Sequence, residues 1–400
     1  MLSPKQINIK DFSYKLPDDK IAKHPLADRD QSKLLFYKNG KIIDAVFEEI
    51  SNLLPQDSHL VVNNTKVIQA RILIEQDENK AIEIFLLEPA EGIETSLAMN
   101  QKFSTKWHCM VGNLKKFKAE FLVLETQIGF VKIYKPEKFD DTFNVQLEWE
   151  MDLSFSELLE HIGLMPLPPY LNRSAEEEDK IKYQTVYAEH LGSVAAPTAG
   201  LHFTNRVFEA LKTKSINAVQ VSLHVGAGTF RPVKASSLED HNMHEEEIVV
   251  SIEALEELKK SSFITAVGTT SLRTLETIYW VGVKIELGIE NFSSLLVSQW
   301  EPYELVLKSN ISFQKSVENV LTWLKMNVIS SLRGKTQLLI APGYQIKSAH
   351  ALITNFHQPD STLLLLVAAF VGEDWQKIYQ HALKNNYRFL SFGDSSLLMR

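Results

Sequence analysis

The stretch Tyr183 to Thr204, YQTVYAEHLGSVAAPTAGLHFT, crowds Gly192, Ser193, Ala195, Ala196, Pro197, Thr198, Ala199 and Gly200 together without the period of a core helix. Small residues let the backbone approach a ligand closely. The flanking Tyr187, His190 and His202 favour a pocket wall over a tight interdomain turn. In SLHVGAGTFRPV, Ser222 to Val233, a strand containing His224 runs into Gly226-Ala227-Gly228. A dinucleotide fingerprint needs a further glycine where Arg231 stands, so that reading fails. A Gly-rich strand end remains. It presents backbone N–H groups, the Thr229 hydroxyl and the Arg231 guanidinium to a carboxylate or phosphate.

Asp240 to Glu245 reads DHNMHE. On a helix this spacing would put His241 and Glu245 on one face with His244 alongside. A metal site would want a third ligand, and the pattern is neither HExxH nor HxxEH. Proton transfer needs less, because histidine titrates near neutrality and a carboxylate can orient it. Acid–base or substrate contact is the favoured reading, with a metal site and a structural pair left open. Thr269, Thr270 and Ser271 follow the strand Ile264 to Val267 and open a helix carrying Arg273 and Glu276. Hydroxyls with helix N-terminal amides suit an anion, and an ordinary N-cap is compatible with that role. Near the end of the chain, APGY at Ala341 to Tyr344 and TNFHQPDST at Thr354 to Thr362 bring Asn355, His357, Ser361 and Thr362 to the opening of an apolar helix.

These residues need a scaffold. Helical periods over Phe155 to His161, Asn205 to Lys212, Ile252 to Lys260 and Ser271 to Trp280 alternate with apolar strands. The strands are His59 to Asn63, Ala218 to His224, Phe263 to Val267 and Gln337 to Ile340. That alternation predicts a mixed α/β layer structure. Between Ile72 and Gln146 the pattern changes to short alternating runs such as IEIFLLE, KWHCMVG and FNVQLEW. They predict a small antiparallel sheet or barrel, with Glu91 to Thr105 as a rim loop. The expected organisation is an α/β domain of residues 1–71 and 150–400, with residues 72–149 as an inserted antiparallel β-barrel domain. SAEEED at Ser174 to Asp179 reads as a solvated acidic helix start.

Composition narrows the classes. Cys109 is the single cysteine, which excludes an internal disulfide and any Cys-rich zinc site. The apolar run Leu363 to Phe370 falls far short of the roughly 20 residues that span a bilayer. MLSPKQINIKDFSYK does not read as a signal peptide, so a soluble cytoplasmic protein without membrane association is expected. A net charge of −8 argues against a chain coated in basic charge. It leaves room for local RNA contact at Lys115, Lys116 and Lys118, or at Lys20, Lys23, Arg29 and Lys33, unless these are simply solvated surface.

Read in order, DFSYKLPDDKIAKHPL, VVNNTKVIQARI, GLMPLPPYLNR, GSVAAPTAGLHFT, LHVGAGTFRPV with HNMHEE, AVGTTSLRTLE, APGY, TNFHQPDSTLLLLVAAF and YRFLSFGD resemble one family closely. It is the family of S-adenosylmethionine:tRNA ribosyltransferase-isomerases of queuosine biosynthesis. The resemblance implies an α/β domain with an inserted β-barrel and S-adenosylmethionine as co-substrate, with no metal or redox cofactor. It further implies ribosyl transfer to 7-aminomethyl-7-deazaguanine at the tRNA wobble position, giving epoxyqueuosine with release of adenine and methionine. Catalytic roles are expected from His202, His224, His241, His244 and Glu245. Substrate contacts are expected from Asn63, Asn64, Lys66, Arg71, Tyr187 and Thr198, from Thr229, Arg231, Thr269, Thr270 and Arg273, and from Tyr344, Asn355, His357 and Thr362. A monomer is the expected state. The family usually reads Asn-Asp-Thr-Arg-Val-Ile-Pro where this chain has Asn63-Asn64-Thr65-Lys66-Val67-Ile68-Gln69. A carboxylate is lost and a guanidinium becomes an ammonium, which keeps open a paralogous ribosyltransferase with another acceptor. A metal-dependent hydrolase on His241, His244 and Glu245, and a non-catalytic RNA-binding protein, are the more distant alternatives.

Overall fold

The structure is a computed structural model that describes residues 4–75, 81–226, 237–289 and 295–400. Its frame is a ten-stranded sheet. At its centre lie four parallel strands in the order Asn217–Leu223, His59–Asn63, Ile264–Val267, Ala351–Asn355. His59–Asn63, Ile264–Val267 and Ala351–Asn355 are buried at every residue, as strands covered on both faces must be. On one side the helices Ile252–Lys260, Gly268–Glu286 and Phe313–Met326 form the largest apolar core with Leu272, Leu275, Val317 and Leu324. The helix Asn205–Lys212 covers the other face through Val207 and Leu211.

Strand order locates the crevice. In chain order the parallel strands lie second, first, third, fourth across the sheet. Direction therefore reverses beside His59–Asn63, and ligands bind at the carboxyl ends of strands at such a switch point. Asn63, His224, Gly268 and Asn355 all stand at those ends.

An eight-stranded antiparallel sheet holds Arg71–Ile74, Ile82–Pro89, Ser104–Gly112, Phe121–Thr126, Gly129–Tyr134, Glu137–Phe139, Thr142–Trp149 and Gly163–Leu164. It carries its own apolar core around Ile84, Trp107, Val131 and Leu147, to which the helix Phe155–Ile162 adds Phe155 and Leu158. Among the described residues its pairing path is open, ending at Gly163–Leu164 and Phe121–Thr126. Cys109 lies buried in this sheet, and burial pushes its thiol up, away from reactivity.

Several local expectations are corrected. Gln337 to Ile340 is not a strand; the strand is Ser331–Thr336, and the apolar run after it leaves the sheet while staying buried at Leu338, Leu339 and Ile340. The expected rim loop holds a short helix, Thr95–Met99, whose Ala98 and Met99 join the core of the antiparallel sheet. Asp179 is not solvated. It is buried in a forked pair with Arg173, at 2.7 Å to each guanidinium nitrogen. No described helix is long and apolar enough to cross a membrane.

Candidate active site

Side-chain amides weld the strand ends. Asn63 Nδ2 donates to the Leu223 carbonyl at 3.0 Å, and its Oδ1 accepts from the Leu223 N–H at 3.0 Å. The next residue works the same seam: Asn64 Nδ2 donates to Gln220 Oε1 at 3.1 Å and Ser222 Oγ donates to Asn64 Oδ1 at 2.7 Å. Both residues are buried, so these bonds hold the first two parallel strands in register where backbone pairing ends.

Across the switch point, Thr198 Oγ1 donates to Asn355 Oδ1 at 2.9 Å. Asn355 Nδ2 is thereby left to donate to His202 Nε2 at 3.2 Å, which puts the imidazole proton on Nδ1, beside Ser32 Oγ at 2.8 Å. Burial, with Arg388 and Arg29 nearby, pushes His202 down to about 3. His202 is thus a neutral ring with both nitrogens engaged, suited to positioning Asn355 and Thr198. His357 is held in the same way, with Nε2 at 2.8 Å from Thr354 Oγ1, and burial pushes it down to about 4.

His224 differs. Its Nδ1 is buried with no partner among the described residues, and burial with His190 nearby pushes the ring down to about 4. Gly192 makes room for it: at φ 130° a Cβ there would stand 3.0 Å from His224 Nδ1 and 2.3 Å from Thr95 Cγ2. The pairing of Leu223 with Ile248 places Glu247 directly across from His224, whose N–H donates to the Glu247 carbonyl at 2.9 Å. Burial raises the Glu247 carboxyl above the usual range, against the Thr95 hydroxyl at 3.4 Å and the charge of Lys335. A neutral imidazole and a carboxyl of raised affinity for protons therefore lie across from each other on neighbouring strands, the combination general acid–base chemistry uses.

The third group opens the helix Gly268–Glu286. No side chain caps its N-terminus, and the hydroxyls of Thr270 and Ser271 are buried without partners among the described residues. Free amides and hydroxyls at the switch point suit an anionic group. One turn on, buried Arg273 pairs through Nη1 with buried Glu246 and donates from Nε to the Leu338 carbonyl at 3.2 Å. Its Nη2 is left without a partner among the described residues.

Other expected residues stand elsewhere. The segment His241 to Glu245 forms no helix but runs extended into the strand Glu246–Ser251, so its histidines do not share a helical face with Glu245. His241 is half-buried and lowered by burial and by His244, and its carbonyl accepts from Gln299 Nε2 at 2.7 Å. His244 is exposed, as is Glu245, which takes Lys335 Nζ at 2.9 Å. Tyr344 is buried against the middle of the long helix, donating to Glu276 Oε2 at 2.6 Å. By helix rise, Glu276 lies roughly 12 Å along the axis from Gly268. Arg71 pairs with Glu83 at 2.7 Å in the antiparallel sheet. Tyr187 rests on Phe208 with its hydroxyl tucked against Gly200, where a Cβ would meet it at 2.0 Å. Thr362 begins the helix Thr362–Val371, while Thr269 is buried in the first turn after Gly268. Thr229 and Arg231 lie outside the described residues. No described group of three or more His, Cys, Asp or Glu side chains could hold a metal ion.

Glu246 and Glu247 escaped the sequence reading. Their only signal was the alternation EEIVVS, which puts successive residues on opposite faces of a strand and so gives adjacent glutamates different surroundings.

The neutral histidines carry a pH dependence. His202, His224 and His357 fall from an ordinary value of 6.5 to about 3, 4 and 4. The unfolded chain binds these protons at a pH where the native state does not, so the stability they contribute is fully present above about 6.5 and is lost as pH falls through the folded values. The urea midpoint is expected to drop steadily between pH 7 and pH 4; a flat profile over that range would contradict the assignment of neutral buried rings.

The fold is that of an α/β protein with polar strand-end groups gathered at a topological switch point. The chain belongs to the queuosine biosynthesis protein family, whose model matches residues 9–398. A relative from Halothermothrix orenii, named S-adenosylmethionine:tRNA ribosyltransferase-isomerase, is 38% identical, the match covering 98% of this chain and all of the relative. One of the same name from a Sulfurihydrogenibium species is 34% identical over 98% of this chain and all of its own length. The crystal structure of S-adenosylmethionine tRNA ribosyltransferase from Thermotoga maritima is 28% identical, covers 97% of this chain and 99% of its own, and superposes with a TM-score of 0.46.

Proposed function

We propose that this chain transfers and isomerises the ribosyl moiety of S-adenosylmethionine onto tRNA. The observation that carries the reading is the match, end to end, with relatives bearing that name. The acceptor in this reading is 7-aminomethyl-7-deazaguanine at the wobble position, and the products are epoxyqueuosine, adenine and methionine. The chemistry is redox-neutral, and S-adenosylmethionine is the co-substrate without a further cofactor. The work takes place in the cytoplasm.

The sulfonium acidifies the proton on the adjacent ribose carbon, so the first demand is a base. Glu247, beside neutral His224, fills that role; a carboxyl raised by burial binds the abstracted proton more tightly than an exposed one. Departing adenine then needs a proton or hydrogen bond, assigned to His241 and His244 on the segment leading to Glu246. The helix start at Thr269 and Thr270, with Arg273 Nη2 and Arg231, would take the methionine carboxylate. His202, Asn355 and Thr198 position the far wall. Residues 72–149 are assigned to an inserted β-barrel unit and residues 1–71 with 150–400 to the catalytic unit; the antiparallel sheet has an apolar core of its own, which Ile68, Ala70, Phe155 and Leu158 from outside those bounds also join.

The test is release of adenine and methionine from S-adenosylmethionine, with and without tRNA bearing the deazaguanine. Release only with that tRNA is expected. Its absence under both conditions would favour the paralogue with another acceptor.

A further inference from the structure

A cavity of about 360 Å³ opens beside the strand Thr65–Val67, against the helix Phe155–Ile162. Its apolar floor is made by Val67, Ile68, Leu159, Met165 and Leu191. The wall is built, because Gln184 brackets Val67, accepting from its N–H at 3.0 Å and donating to its carbonyl at 2.8 Å. Two features have no use in the fold. Gln69 Oε1 is buried without a hydrogen-bond donor, and the Lys66 ammonium makes no hydrogen bond or ion pair among the described residues. Lys180, half-exposed and bonded to Glu177 at 2.9 Å, adds a second ammonium to a lining that Glu160 and His161 complete, so the cavity carries one carboxylate against two ammonium groups.

An apolar floor, a buried acceptor lacking a donor and ammonium groups together match one chemical unit: a flat ring bearing N–H groups, attached to a phosphate. A buried carbonyl left unsatisfied is costly, and a donor from the ring would recover that cost. Single-stranded RNA offers such units, because its unpaired bases can be splayed out and read along their edges. We propose that this cavity receives one unpaired nucleotide of the RNA substrate. The base lies on the apolar floor with its edge toward the Gln69 amide, which turns outward to accept from it, and its phosphate meets Lys66 and Lys180. The proposal rests on the tRNA reading above and adds a docking point distinct from the strand-end groups. Lys66 stands two residues beyond the Asn63-Asn64 clasp, which links the cavity to the strand ends through one short segment.

The experiment is a titration of tRNA against the full-length protein by fluorescence anisotropy at several salt concentrations. Each phosphate contact contributes a slope of about 0.7–0.9 in log affinity against log salt. Lys180→Ala is expected to weaken binding severalfold and reduce that slope by nearly one. Gln69→Leu, which removes no charge, is expected to weaken binding about tenfold with the slope unchanged. Thermal melting of both variants checks folding, and Lys180, being half-exposed, can be replaced without disturbing a core. Adenine release by the unaltered protein with tRNA is measured in parallel. Release together with unchanged affinity and slope in both variants overturns the cavity assignment alone, whereas failure of the unaltered protein to bind tRNA overturns the RNA reading and this inference with it.

Discussion

Replacing Glu247 by glutamine is expected to lower the rate of adenine release by about 10²–10⁴-fold, the range for a positioned acid–base group, with the melting temperature held or raised. The two halves of that expectation come from one cause. Burial raises the Glu247 carboxyl, so its charged form is disfavoured in the folded state. For a carboxyl raised on folding, the native state holds its proton at a pH where the unfolded chain has released it. Stability therefore falls as pH rises from the ordinary value of 4.5 through the folded one. Glutamine keeps the shape and removes that cost, but it cannot accept a proton. The rate in the unaltered enzyme is expected to rise with pH through the raised value as the base form appears. A pH–rate profile on both proteins decides the matter: near-normal turnover by Glu247→Gln would remove this residue from the mechanism and return the base to His224.

Replacing Arg273 by methionine is expected to cost about 3–5 kcal/mol of folding stability, because Glu246 would be left as a buried charge without its partner. Both side chains are almost completely inaccessible, at 8% and 5% of their free surface, so water cannot take the guanidinium's place. The double variant Arg273→Met, Glu246→Gln is expected to recover a good part of the loss, since no unpaired charge remains. Urea unfolding of the two single variants and the double variant measures the coupling directly. Additive effects would mean that the pair is not a unit and that Arg273 is free to serve the ligand with its whole fork. With the pair intact, only Nη2 is available to a carboxylate, which makes Glu246 a positioning residue for whatever Arg273 holds.

Periodicity accounted for the elements that were legible. The helices Asn205–Lys212 and Ile252–Lys260 agree with the expectation at both ends, and each is capped by a hydroxyl, of Thr204 or Ser251, accepting from the first turn. The strand His59–Asn63 was equally clear, because a continuous apolar run ending in amides is what a doubly covered parallel strand requires. The polar clusters at Asn63-Asn64, Thr269-Thr270 and Thr354 to His357 could be found one by one, since each interrupts an apolar run at a strand end.

What they do together depends on strand order, and strand order is set by packing between segments far apart in the chain. No local pattern marks Asn355 as the neighbour of Thr198 and His202, or Glu246 as the partner of Arg273. Glu247 meets His224 only because Glu246–Ser251 pairs antiparallel with Asn217–Leu223 in one register. A slip of one residue would have turned Glu247 to the other face and exchanged the two glutamates' roles. The shared helical face considered for His241 and Glu245 does not form for a related reason. Spacing alone cannot say whether i and i+4 share a face until the backbone is known, and here Gln299 grips the His241 carbonyl and the Met243 N–H at 2.7 and 2.9 Å and holds the segment extended. Residue types and their periods therefore announced the kind of fold and the polar strand ends, while the pairing of distant strands chose which of those groups became neighbours, setting Glu246 against Arg273 and Glu247 across from His224.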